Sequence, residues 1–233
     1  MLKFFGTGNA FSEKNTSAYF IKNNELYIFD CGETVFTQIK KSKVLDNVKA
    51  VNLFLTHLHS DHSGSVGSLL FYLASKDFPV ENARVFFPEQ DKIYNLLTLF
   101  DVQDLCVRLS QKDVEKMNVL PVKQKHNRIN SFGYLFSNDN KTEYFSGDTQ
   151  EISQEILDLF KAGKIDRLYV DSSFDKNGEY HLYYKKLDEC IPKNLRKKVT
   201  CMHLKDGFNK NLLSDYDIAK AEEYNYDRNM CSN

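Results

Sequence analysis

The chain has 233 residues and a formal net charge of −1, from 31 Lys and Arg against 32 Asp and Glu. That length can bury a sizeable core within one domain, and the balanced charge excludes a global pull toward nucleic acid or an anionic membrane. No apolar run approaches the roughly 18 residues of a membrane span, and MLKFFGTGNA breaks into Gly and Asn too early for a signal peptide.

In chain order, LKFF, SAYFIK and LYIFD are predicted strands, the last two joined through Asn23 and Asn24. ETVFTQIKK spaces Val35, Phe36 and Ile39 as a short amphipathic helix does. KAVNLFLTH alternates Val51, Leu53 and Leu55, a strand running into THLHSDHSG. VGSLLFYLAS predicts a helix, ARVFFP a strand and EQDKIYNLLTLF a helix; NVLPVKQKHN, FGYLF and TEYFSGDT follow as strands. ISQEILDLF spaces Ile152, Ile156, Leu159 and Phe160 for a helix, and DRLYVDSS and KKVTCMH are two more strands. No Pro/Gly-rich linker divides the chain, so residues 1–233 are expected to form one domain, with the tail 225–233 frayed. The five cysteines show no CxxC pair and read as free thiols in a reducing cytoplasm.

LYIFD, VNLFLTH, TEYFSGD, LYVD and VTCMH share one feature: each is a β-rich run closing on His or Asp. Such strand ends are where layered α/β proteins build sites. The densest is His57, His59, Asp61 and His62, an H-x-H-x-D-H pattern. On a strand His57 and His59 point to the same side, whereas Asp61 and His62, on the following turn, project differently. One tetrahedral metal rarely takes four donors from so short a segment, but two neighbouring metals can share them. Imidazole and carboxylate without thiolate suit Zn²⁺, Mn²⁺ or Fe. The competing reading is a polar loop with chance histidines, and the strand-then-loop context weighs against it.

The pattern resembles the metallo-β-lactamase superfamily, and the resemblance runs over nearly the whole chain. KQKHN supplies His126, SGDT supplies Asp148 and CMHLKDG supplies His203. The resemblance implies the α/β class and an αββα sandwich with a two-metal site along one edge. It further implies that His57, His59 and His126 hold one divalent metal and that Asp61, His62 and His203 hold the other. Asp148 would bridge them, and Asp30 of FDCGE would buttress the metal loop. Two ions, Zn²⁺ or Mn²⁺, less the charges of Asp61, Asp148 and a bridging hydroxide, leave about +1, which favours an anionic phosphoryl transition state. Aspartate rather than cysteine at position 148 argues against lactam hydrolysis.

FFGTGNAFSEKNTSAYFI, IFDCGETVFTQI, HNRINSFGY and YFSGDT resemble the tRNase Z branch of that superfamily. Its later acidic and His positions match Asp171 in VDSSF and His181 in EYHLYY, although Asp stands for Glu and HLYY for H-S/T-T. By this resemblance His181 protonates the leaving oxygen and Asp171 orients it; with Asp61 these are the residues assigned to the reaction itself. The long arm with which tRNase Z grips tRNA has no counterpart, since only LFSNDNKTEYF separates Tyr134 from Ser146. Armless relatives include cyclic-nucleotide phosphodiesterases of the anti-Pycsar type. The expected function is metal-dependent hydrolysis of a small phosphodiester, a 3′,5′-cyclic mononucleotide, with tRNA 3′-end processing as the alternative. Asn15, Thr16 and Ser17 are candidate phosphate donors, and Phe11, Phe174, Tyr180 and Tyr183 candidates to stack a base. The expected partner is a small nucleotide, with RNA the alternative and no membrane, and the resemblance implies a homodimer.

Overall fold

The computed structural model describes residues 1–176 and 180–224; the tail expected to fray, 225–233, lies outside the described residues. The first sheet holds β1 (Lys3–Gly6), β2 (Ser17–Lys22), β3 (Glu25–Phe29), β4 (Ala50–Phe54), β5 (Ala83–Phe86) and β6 (Val107–Arg108), in that spatial order. The second holds β7 (Val119–Gln124), β8 (Ser131–Asn138), β9 (Lys141–Phe145), β10 (Arg167–Asp171), β11 (Val199–Met202) and β12 (Asp217–Ile218). Each sheet is antiparallel among its first three strands and parallel thereafter. The helices are α1 (Val35–Ser42), α2 (Ser60–Ser63), α3 (Val66–Ala74), α4 (Gln90–Leu99), α5 (Gln111–Lys116), α6 (Gln154–Lys161) and α7 (Tyr184–Cys190).

Period-two alternation decides the layers. In β3, Leu26 and Ile28 face one buried cluster with Val35 and Ile39 of α1, Leu69 and Leu73 of α3, and Ile93 and Leu97 of α4. Tyr27 and Phe29 face the opposite cluster, between the sheets, with Phe54, Phe86, Tyr134, Phe136, Phe145 and Tyr169. In β10 the same alternation sends Tyr169 between the sheets, and Leu168 and Val170 outward to Ile156 and Phe160 of α6 and Leu187 of α7. A strand apolar on both faces needs a layer on each side, and the result is the αββα sandwich. Among the described residues no helix is long and apolar enough to cross a membrane.

The turns follow their residues. Asn23 and Asn24 (φ 53° and 60°) close β2 onto β3, and Asp139 and Asn140 (φ 49° and 61°) close β8 onto β9. Asn and Asp tolerate the left-handed backbone that two-residue hairpins require. One predicted strand stops early: β4 ends at Phe54, so His57 and His59 lie in the loop beyond it. The cause is local. The Thr56 N–H, which a continuing strand would present to a neighbour, donates instead to the Asp30 carboxylate at 2.7 Å.

Because β3, β4, β5, β9, β10 and β11 run parallel to a neighbour, their C-terminal ends gather at the edges where the loops carry His and Asp. Asp30 follows β3, the histidine loop follows β4, Asp148 follows β9, Asp171 ends β10 and His203 follows β11.

Candidate metal centre

The histidines and aspartates named as metal ligands from the sequence converge. His57, His59 and His126 form one group; Asp61, His62, Asp148 and His203 form another, with donor atoms in each group within 4.8 Å of one another. All are buried except His59, which is exposed. The His57 Nε2 lies 3.0 Å from His59 Nδ1 and 3.8 Å from Asp148 Oδ2. The His62 Nε2 lies 3.1 Å from Asp61 Oδ2 and 3.2 Å from Asp148 Oδ1, and His203 Nε2 is 3.4 Å from each of those two carboxylates. Asp148 therefore stands between the groups.

The donor set fits a divalent cation, and the hydrogen bonding shows why. His62 Nε2, His126 Nε2 and Asp148 Oδ1 are buried without a hydrogen-bond partner. Burying such atoms unpaired is costly, and His62 Nε2 faces Asp148 Oδ1 at 3.2 Å with no hydrogen-bonding geometry. A shared cation resolves that arrangement. Two of the outer nitrogens are occupied: His126 Nδ1 lies 2.8 Å from the Tyr180 carbonyl, which accepts its proton, and His62 Nδ1 lies 2.8 Å from Asp30. A histidine whose far nitrogen donates presents the other as a ligand. Asp148, Asp171, His181 and His203 also approach one another, but His181 Nδ1 is committed to Asp171 Oδ2 at 2.9 Å, so His181 and Asp171 form a hydrogen-bonded pair beside the centre.

Charge follows the same division. Burial, reinforced by the neighbouring His62, holds His57 well below the ordinary histidine range, and burial with His126 lowers His59. Burial opposes charge on His62 and His203, yet the carboxylates around them prevail: His62 is raised well above its ordinary value, and His203 is raised to about 10, with Asp148 the largest contributor in both. Burial likewise opposes ionisation of Asp61 and Asp148, and the imidazoles beside them keep both lowered. His181 is raised because Asp171, then Asp148, outweighs its burial.

Backbone geometry supports the centre at unusual positions. Asp30 (φ 66°) and His203 (φ 60°) are both left-handed, a conformation uncommon outside glycine although Asp and His adopt it more often than most; such positions collect at functional sites. Gly147, at φ +58°, precedes Asp148, and a Cβ there would come within 2.6 Å of the Thr56 Cβ. At Gly32 a Cβ would fall 1.9 Å from the Asp61 carbonyl oxygen.

Asn15, Thr16 and Ser17, expected to offer phosphate donors, are instead buried and internally bonded. Asn15 Nδ2 donates to the Asn9 carbonyl and Asn15 Oδ1 accepts from Thr34, Thr16 Oγ1 donates to the Gly8 carbonyl, and Ser17 Oγ to that of Asp30. They brace the loop behind Asp30. Of the aromatic candidates, Tyr180 is the one beside the centre: half-exposed, its ring 6.2 Å from that of His126 and 6.4 Å from that of His181. Phe174 packs on Phe208, and Phe11 is exposed. Thr56 went unread in the sequence, although it immediately precedes the histidine pattern. It links Asp30 to His57.

The chain matches the family model described as Anti-Pycsar protein Apyc1 over residues 1–90 and 83–224. Among curated proteins it is similar to Ribonuclease Z of Methanocaldococcus jannaschii, 28% identical over 198 residues, covering 76% of this chain and 56% of that protein. It is also similar to Zinc phosphodiesterase ELAC protein 1 of Homo sapiens, 39% identical over 70 residues, covering 29% and 19%. The chain thus spans about half the length, or less, of the curated relatives it matches. In structure it is similar to human tRNase Z, short form, with a TM-score of 0.66 and 18% identity, covering 96% of this chain and 97% of that one. It is similar as well to the metallo-beta-lactamase fold protein YhfI from Bacillus subtilis, with a TM-score of 0.71 and 15% identity, covering 95% and 97%. The fold is that of the metallo-β-lactamases.

Proposed function

The chain belongs to the Anti-Pycsar protein Apyc1 family, and from that premise we propose that it is a dinuclear metal-dependent phosphodiesterase acting on a 3′,5′-cyclic mononucleotide. The observation that carries the reading is the pair of donor groups meeting at Asp148, whose Oδ1 and whose neighbour His62 Nε2 lack hydrogen bonds. In this reading His57, His59 and His126 hold one ion and Asp61, His62 and His203 the other, with Asp148 between. Zinc suits this imidazole-rich set, and the relative from Homo sapiens is by name a zinc phosphodiesterase. Bound there, two divalent ions neutralise the non-bridging phosphoryl oxygens and make water a nucleophile at neutral pH.

The chain's own groups do the rest. Asp61 and Asp148, kept ionised by the imidazoles around them, accept hydrogen bonds from the attacking water and hold it opposite the leaving 3′-oxygen. His181 has its Nδ1–H on Asp171, so its Nε2 carries the proton for that oxygen. As the water oxygen bonds to phosphorus it loses one proton to solvent, the bond from phosphorus to the 3′-oxygen breaks as His181 protonates that oxygen, and a 5′-mononucleotide leaves. Asp171 also accepts the Thr149 N–H at 3.1 Å, which fixes its carboxylate while His181 gives up and regains its proton.

A second reading, a tRNase Z-type endoribonuclease, is favoured by the similarity to Ribonuclease Z. Against it stands the turn between β8 and β9, where Asn138 pairs with Lys141 across two residues, leaving no arm at the place where tRNase Z inserts one. Incubating the zinc-loaded protein with each cyclic mononucleotide and with a 3′-extended tRNA precursor decides between them. Cyclic-nucleotide turnover is expected; cleavage of the precursor with inert cyclic nucleotides would reverse the assignment. The reading includes a homodimer in the cytoplasm, and a monomeric mass in sedimentation would remove that part.

A further inference from the structure

Thr56 is fully buried between the two donor groups. Its N–H donates to Asp30 Oδ1 at 2.7 Å, its hydroxyl lies 2.8 Å from Asp30 Oδ2, and the same hydroxyl is 3.1 Å from His57 Nδ1. Its carbonyl accepts the Phe132 N–H at 2.9 Å. A hydroxyl has one proton to give, and the Asp30 carboxylate, with the Thr56 N–H on Oδ1 and His62 Nδ1 on Oδ2, is the acceptor at both oxygens. The Thr56 proton therefore goes to Asp30, and its lone pair is left to take the Nδ1–H of His57. That bond leaves His57 Nε2 bare, directed at His59 and Asp148. Asp30 Oδ2 also takes the Nδ1–H of His62 at 2.8 Å, which turns His62 Nε2 toward Asp61 and Asp148.

From this chain of bonds we infer that Thr56 is a positioning residue: with Asp30 it sets the donor nitrogen of one histidine in each group, and so ties the two metal half-sites together. A buttress serving one ligand would tune one half-site. Here one hydroxyl and one carboxylate serve both. The inference rests on the proposal that the two groups hold metal, and its test separates the two.

Two substitutions separate chemistry from shape. Thr56→Val keeps the methyl that faces Gly147 and removes the hydroxyl. Thr56→Ser keeps the hydroxyl and removes the methyl. Metal-free proteins are titrated with Zn²⁺ against a chromophoric chelator, bound ions are counted by elemental analysis, and circular dichroism verifies folding. The expected result is a ~10–100-fold loss of affinity at both half-sites in Thr56→Val, the range seen when an outer hydrogen-bond partner of a metal histidine is removed, with Thr56→Ser close to wild type. Wild-type affinity in Thr56→Val, a loss confined to one half-site, or equal impairment of both variants would overturn the inference. A metal-independent readout accompanies the titration. The ¹⁵N shifts of His57 in the metal-free protein are expected to show the Nδ1-protonated tautomer in wild type and its loss in Thr56→Val. A wild-type protein that bound no ions would end the metal reading while the tautomer measurement still decided the role of Thr56; an Nε2-protonated His57 would refute that role whatever the metal content.

Discussion

At the scale of single residues, the paired charges of the centre make a sign prediction. A histidine with a folded pKa above its unfolded value of about 6.5 binds more protons when folded, so its stabilisation is complete below that pH and is lost as pH rises through the folded pKa. His62 and His203 are of this kind, His203 reaching about 10. The metal-free protein is therefore expected to lose thermal stability between pH about 6.5 and about 10. A melting temperature constant or rising across that window contradicts the assignment of those protons. Removing the proposed proton donor is a second test: His181→Ala is expected to lower kcat by ~10²–10⁴-fold, the usual worth of general acid catalysis, with metal content unchanged. A variant with wild-type kcat removes His181 from the reaction. Tyr180 makes the third. Its carbonyl is held by His126, so Tyr180→Ala keeps that anchor and removes only the ring. KM for a cyclic nucleotide is expected to rise by ~10-fold, within the 1–3 kcal/mol of a stacked base, while a base-free phosphodiester is turned over as before. Equal losses on both would mean that the ring shapes the site without touching a base. The histidines and aspartates were legible because their chemistry shows in the residue letter. Thr56 and the Tyr180 carbonyl were not, since a hydroxyl or backbone oxygen in a core makes no compositional signal.

Among elements, legibility followed length and patterning. β2, β3 and β8 carry enough alternation to be read directly, and the Asn23–Asn24 turn announces its hairpin. β6 and β12 have two residues each, too few for any period to register. α5 carries a readable start, the Ser110–Asp113 capping box, but only Val114 of it is buried, so no apolar stripe marks its course. Ile152, placed on a helix by its spacing, precedes α6 and packs into the same cluster by way of the loop. The early end of β4 could not be read, because it depends on a carboxylate 26 residues upstream. At Gly147 the junction between β9 and Asp148 is constrained twice, by its positive φ and by the approach of Thr56. Gly147→Ala is expected to displace Thr56 and Asp148 together, weakening zinc binding and destabilising the fold by at least ~1 kcal/mol. An alanine variant with wild-type zinc affinity would mean the loop absorbs the change.

For the whole molecule, the sandwich and the centre are one construction. Phe29 packs against Phe54, Tyr134, Phe136 and Phe145 at ring-centroid distances of 5.6, 5.6, 4.8 and 5.3 Å, so the residue before Asp30 is the middle of the inter-sheet core. That core fixes the facing of the sheets, and the facing brings the histidine loop of one sheet to Asp148 and His203 of the other. The αββα architecture was readable only through the resemblance carried by the motifs; strand periods say that both faces are buried without saying what covers them. The short β8–β9 turn, two residues between Asn138 and Lys141, is the feature on which the proposal of a small substrate leans. The most direct measurement is the identity of the product when zinc-loaded protein meets a 3′,5′-cyclic mononucleotide, resolved by ³¹P NMR. Conversion to the 5′-mononucleotide, abolished by a chelator and restored by zinc, is predicted; an untouched cyclic nucleotide, or turnover indifferent to metal removal, would contradict it.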